Sequence, residues 1–167
     1  MARQMAMLMM AAAAMAVMCV ASVCAARPAA DPYSVEGRVY CDTCQAGFET
    51  SATTYIEGAK VRVDCTDRHT QELLYTAEGT TDSTGQFKIL IREDQGDRVC
   101  DTILINSPQN DCKLADPGRD RSRVILNSNN GMISRRRFAN SLGFVKDQPL
   151  AACAQVLQQY QLTDDDN

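Results

Sequence analysis

The chain has 167 residues and a formal net charge of −4, and its 45% hydrophobic content is concentrated at one end: the first 26 residues hold 23 of the apolar ones. The other 141 are about 37% apolar, and Leu, Ile, Val and Phe supply only 29 of them, near the composition at which a chain stops burying enough surface to fold unaided. A single modest domain with an acidic balance excludes a multidomain enzyme, a polytopic membrane protein and a basic nucleic-acid binder. In chain order, Arg3 precedes an uncharged Met/Ala/Val run from Met5 to Val23, and the small residues of Val23-Cys24-Ala25-Ala26 follow. This layout predicts a secretory signal peptide over residues 1–26, cleaved after Ala25 or, preferably, Ala26, and so an extracellular protein with no membrane insertion after cleavage.

Residues 27–34, with Pro28 and Pro32, read as a flexible lead segment, and a β domain is expected over 35–162. Val35 to Tyr40 is strand-like. Ala59 to Cys65 alternates apolar with charged residues, which places Ala59, Val61, Val63 and Cys65 on one buried face. Leu73–Ala77 and Gln86–Ile91 are two further strands, and the turn cluster Thr81-Asp82-Ser83-Thr84-Gly85 between them predicts a hairpin. Thr102–Asn106 and Arg123–Asn127 follow, then the turn Asn129-Asn130-Gly131 and a last extended piece at Leu142–Lys146. Leu150, Cys153, Leu157 and Tyr160 recur at helical spacing behind Pro149, which suits the first helical position, and residues 163–167 form an acidic tail. About seven short strands and one short C-terminal helix predict an all-β fold, an antiparallel sandwich or barrel.

Six cysteines follow the leader: Cys41, Cys44, Cys65, Cys100, Cys112 and Cys153. An even set in an exported chain with a thin core reads as three disulfides, for which spacing alone leaves 15 pairings. Cys41-Asp42-Thr43-Cys44 lacks the following helix of a redox dithiol and the second ligand pair of a zinc site. No catalytic constellation stands out. The one histidine, His69, sits in a polar connection; Glu93, Asp94 and Asp97 read as a solvated loop; and no Trp supplies a sugar platform. No catalytic residue, cofactor site or metal site is expected, and no Asn-x-Ser/Thr sequon follows the leader. Arg135, Arg136 and Arg137 form the one basic cluster, a candidate contact for an acidic partner such as wall pectin.

The run Glu36-Gly37-Arg38-Val39-Tyr40-Cys41-Asp42-Thr43-Cys44-Gln45 resembles the signature of the Ole e I family of plant pollen proteins, in particular its pollen-specific C13-like, grass-pollen members. The likeness extends through the cysteine positions, Gly58-Ala59-Lys60-Val61-Arg62-Val63, Ser128-Asn129-Asn130-Gly131 and Ala139-Asn140-Ser141-Leu142-Gly143-Phe144; Gln45 stands where the family usually has Arg. The resemblance implies the pairs Cys41–Cys112, Cys44–Cys153 and Cys65–Cys100 and a Greek-key-like arrangement of strands. It further implies a secreted, non-enzymatic pollen protein and allergen, located at the pollen surface, wall or tube. Such a protein would bind a receptor-kinase ectodomain or cell-wall component during pollen hydration, germination or tube growth. The alternative is an abundant structural or storage component of the extracellular matrix without a discrete binding site.

Overall fold

The computed structural model describes residues 31–128 and 130–161. The expected signal peptide, residues 27–30 of the lead segment, Asn129 and the acidic tail lie outside the described residues. Among those described, the elements in chain order are β1 (Tyr33–Asp42), β2 (Thr54–Tyr55), β3 (Lys60–Thr66), β4 (Leu73–Thr80), β5 (Gln86–Ile91), β6 (Val99–Asn106), β7 (Leu114–Ala115), β8 (Arg121–Val124), β9 (Arg136–Phe138), β10 (Leu142–Val145) and helix α1 (Cys153–Gln161).

β1 is the spine of the larger sheet. Its first half pairs antiparallel with β5, from Tyr33↔Ile91 to Arg38↔Gln86, and parallel with β9 on the other side, Ser34↔Arg136 to Glu36↔Phe138. Its second half takes β2 and, in parallel, β10, which carries β7 at its far edge. The smaller sheet is antiparallel throughout, in the order β4-β3-β6-β8. Alternation does the rest: Val35, Val39, Ile89, Ile91, Leu142 and Phe144 point inward from one sheet and Val61, Val63, Cys65 and Leu104 from the other, all buried in one core.

This is a two-layer sandwich with a short C-terminal helix and three disulfides, and its sheets do not close into a barrel. The bridges are Cys41–Cys112, Cys44–Cys153 and Cys65–Cys100, the pairs that the resemblance implies. Cys65 and Cys100 face each other across the β3–β6 ladder, while Cys44–Cys153 ties α1 to the loop after β1. Phe48 and Tyr160 meet edge to face at 5.1 Å on the same side.

Four expectations are corrected. The lead segment ends early, because Tyr33 and Ser34 already belong to β1 and Tyr33 is buried against the core. Not every pair is antiparallel: β9 and β10 both run parallel to β1. The helix begins at Cys153, so Pro149 lies ahead of a turn at residues 151–152 and does not open the helix. Most consequentially, β4 and β5 do not form a hairpin; the turn between them carries the chain from the smaller sheet to the larger.

Thr81 fixes that crossing. Its hydroxyl donates to the Ile56 carbonyl at 2.6 Å and accepts from the Ala59 amide at 2.9 Å, so β4 ends against the β2–β3 connection. Asp82 then receives the Thr84 and Gln86 amides, and the Gly85 carbonyl accepts the Val39 amide, which delivers β5 to β1. Gly85 has φ +72°, and a Cβ there would lie 2.6 Å from Tyr55 Cβ and 2.9 Å from the Val39 carbonyl oxygen. Gly85→Ala is expected to cost about 3 kcal/mol and lower the thermal midpoint by roughly 10 °C, from left-handed strain and overpacking together. A variant that melts with the wild type by calorimetry contradicts this geometry.

Candidate functional site

The alternate positions that do not enter the core build the outer face of β5–β1–β9. Glu36 stands at its centre. Arg136 Nη2 donates to Glu36 Oε2 at 2.6 Å, the Ser34 hydroxyl donates to Oε1 at 2.7 Å, and Lys88 Nζ lies 3.6 Å away. The Arg136 hydrogen bond, then that of Ser34, holds the Glu36 carboxyl down at about 2 against the opposing pull of burial. This is an ionised charge organiser, the opposite of a general acid, which needs a raised pKa. Arg38, on the same face two residues on, rests over the Tyr55 ring at 5.1 Å from its centroid. Phe138 is 68% exposed, with the Arg136 guanidinium 5.3 Å from its ring.

Two clefts of about 450 and 340 Å³ run along this face and meet at Glu36, Gln86 and Arg136. Beneath them Gly37 makes room for the core: a Cβ there would fall 2.5 Å from Phe87 Cζ. The pairing makes a pH prediction. A folded-state pKa near 2 against an ordinary value of 4.5 means that Glu36 contributes stability above about pH 4.5, and that this contribution is lost as pH falls toward 2. Because the Arg136 side of the pair is 62% exposed and solvent screens it, the contribution is about 1 kcal/mol. Glu36→Gln should therefore narrow the gap to wild type between pH 5 and pH 2 in denaturant titrations; a gap that stays constant across that window contradicts the pairing.

The basic cluster does not act as one patch. Arg136 is exposed, Arg135 is half-buried and Arg137 is only 6% exposed. As β9 alternates, Arg136 faces outward to Glu36 while Arg137, in register with Val35, turns inward. There Nε donates to the Ile125 carbonyl at 2.7 Å, and Nη1 donates to the carbonyls of Ser134 and Arg136. Arg135 and Arg137 both lie near the buried Tyr33 ring, at 4.8 and 5.2 Å from its centroid. Of the three arginines expected to touch a partner, Arg137 is committed to the interior. Strand alternation was the available signal for that, and Glu36, Arg38 and Lys88 joined the face only through a register that sequence does not show.

His69 and the acidic loop, read separately in sequence, line one cleft of about 410 Å³ together with Arg68 and Arg98. Two of its carboxylates, Asp67 and Asp94, are occupied. Asp67 Oδ1 accepts the Thr70 and His69 amides, and Asp94 accepts the Ser128 and Gly96 amides, with Tyr33 Oη at 3.3 Å. The Thr70 and His69 amides lower Asp67, and the Ser128 side chain, then the Gly96 amide, lowers Asp94, so neither is tuned to give a proton. A second polar cluster lies where Tyr40 crosses Gly143. Burial pushes the Tyr40 phenol up to about 12, and burial together with Asp42 raises Asp116. Asp42 itself receives the Cys44 and Gly47 amides. At Gln45, with φ +53°, the side-chain amide donates to the Lys146 carbonyl at 2.8 Å, a structural task that needs no positive charge. Among the described residues, no group of three or more His, Cys, Asp or Glu is placed to hold a metal ion.

Comparison with known proteins places the whole domain. The family model described as pollen protein Ole e 1 like matches residues 31–161. Pollen-specific protein C13 of Zea mays is 42% identical over 158 residues, covering 93% of each chain. Protein DOWNSTREAM OF FLC of Arabidopsis thaliana is 44% identical over 153 residues, 91% of this chain and 93% of that one. Pollen allergen Phl p 11 of Phleum pratense is 43% identical over 133 residues, 79% of this chain and 93% of that one. Among solved structures, the major plantain pollen allergen Pla l 1 superposes with a TM-score of 0.64 at 26% identity, over 73% of this chain and 99% of the other. The names of these relatives indicate no enzymatic activity, and pollen allergens among them together with the disulfides are consistent with an extracellular protein. The chain belongs to the Ole e 1-like family of pollen proteins.

Proposed function

We propose that this protein is secreted and acts without catalysis, by binding a partner at the pollen surface, wall or tube during hydration, germination or tube growth. The partner is a receptor-kinase ectodomain or a cell-wall component. The observation that carries the reading is the outer face of β5–β1–β9, where Arg38, Lys88 and Arg136 are grouped around one ionised carboxylate on a sheet held rigid from behind. Support also comes from Asp67 and Asp94 of the His69 cleft, whose lowered pKa values suit turn structure and not proton transfer. Allergenicity would follow from abundance and resistance to unfolding, and is a consequence rather than a role.

Fluorescently labelled protein applied to germinating pollen tests this directly. The expected result is saturable binding that excess unlabelled protein displaces. Linear, undisplaceable uptake overturns it and points to a bulk matrix component.

A further inference from the structure

Resting on the binding reading above, we infer that the outer face of β5–β1–β9 takes a linear acidic polysaccharide whose uronate carboxylates pair with Arg38, Lys88 and Arg136. The two clefts on this face share Glu36, Gln86 and Arg136 and so form one track, which calls for an elongated occupant. Arg136 stands beside Ser34, four residues from Arg38 along β1, so their backbone positions are about 13 Å apart along the strand. A chain must be several units long to reach both. Three cations against Glu36, with Asp82 at one end, leave this face positive on a protein whose formal net charge is −4.

The surface also selects against a peptide. β1 is paired on both sides here, so the middle of the face offers an extended peptide no strand edge; the free edges are those of the flanking β5 and β9. The centre of the track is a charge cluster rather than an apolar groove, which removes helix docking as well. What it does offer suits a uronate: cations for the carboxylates, the Gln86 amide and Ser141 hydroxyl for ring hydroxyls, and the exposed Phe138 ring for the aliphatic face of a sugar. The missing Trp did not remove the aromatic rim. Glu36 anchors Lys88 and Arg136 from below without cancelling them, since their side chains remain 64% and 62% exposed.

The experiment is calorimetric titration of the intact, oxidised protein with polygalacturonate in 20 mM-range salt, alongside its fully methyl-esterified form and poly-glutamate as probes. Wild type should bind polygalacturonate, weaken as salt rises, and bind the ester and poly-glutamate at least tenfold more weakly. The double variant Arg38→Gln/Lys88→Gln, both exposed positions, should keep its near-ultraviolet dichroism and lose at least tenfold in affinity. Phe138→Ser alone should lose several-fold, which a purely coulombic contact would not. Absence of polygalacturonate binding, equal binding in the double variant, or poly-glutamate binding as tight as polygalacturonate overturns the inference. Saturable binding to pollen alongside any of these results would leave the binding function standing and remove only the acidic polysaccharide.

Discussion

Replacing Arg137 with alanine should lower the unfolding free energy by about 3–4 kcal/mol, a large effect for a single side chain. The side chain is 6% exposed, and its guanidinium donates to the backbone carbonyls of Ile125, Ser134 and Arg136. Ile125 follows β8 in the smaller sheet and Arg137 lies in β9 of the larger, so one side chain supplies hydrogen bonds between layers that share no ladder. Truncation takes the guanidinium from all three carbonyls and removes packing from the Tyr33 ring. Lysine has a single ammonium and cannot span the same acceptors, so Arg137→Lys should recover less than half of the loss. Arg136→Gln, at the neighbouring residue but on the solvent side, should cost far less than Arg137→Ala. Urea titrations with the disulfides intact separate these cases; equal stability of the Arg137 and Arg136 variants would contradict the assignment.

Loss of the Cys41–Cys112 bridge is a second large effect, and loss of Cys44–Cys153, which closes 109 residues, should cost about 0.4 kcal/mol more on loop-closure entropy alone. Cys41 and Cys112 are both buried, and they close a span of 71 residues. Loop-closure entropy for such a span corresponds to about 4 kcal/mol, a large fraction of the 5–15 kcal/mol that a typical domain commands. Cys65–Cys100 closes only 35 residues, and its removal should cost about 0.5 kcal/mol less on the same argument. The double substitution Cys41→Ala/Cys112→Ala, followed by guanidinium unfolding at neutral pH, measures this. A loss below about 1 kcal/mol would mean that the small apolar core suffices without the bridge, contrary to the composition argument.

How much of this was legible beforehand depended on whether the information is local. β5 was readable to the residue, and β3 nearly so, because alternation such as Phe87-Lys88-Ile89-Leu90-Ile91 is written in the side chains themselves. β2, β7 and β9 have two or three residues each and exist through their partners, so no run of residues announces them. The turn at 81–85 announced a reversal correctly. Whether the strand after it returns to its neighbour or crosses to another sheet was decided by Thr81 and Gly85 against β1 and β2, contacts distant in sequence.

The site follows the same division. The triplet at 135–137 was visible, but its division into an outward Arg136 and an inward Arg137 required knowing that β9 is a strand and which way it faces. Glu36, Arg38 and Lys88 carry no motif that links them; the antiparallel register of β1 with β5 does. His69 shows the reverse case. Proximity to Asp67 and Asp94 gives it the neighbours of an acid–base site, yet each carboxylate is held by backbone amides and serves its turn.

Residue-resolved footprinting of the protein on germinating pollen tests whether recognition resides on the outer face of β5–β1–β9. Hydroxyl-radical labelling, read by mass spectrometry with and without pollen, should show protection at Lys88, Leu90 and Phe138, with Leu73, Leu74 and the loop around His69 unchanged. Protection concentrated at the His69 cleft, or a pattern identical in the two states while saturable binding is present, would contradict it.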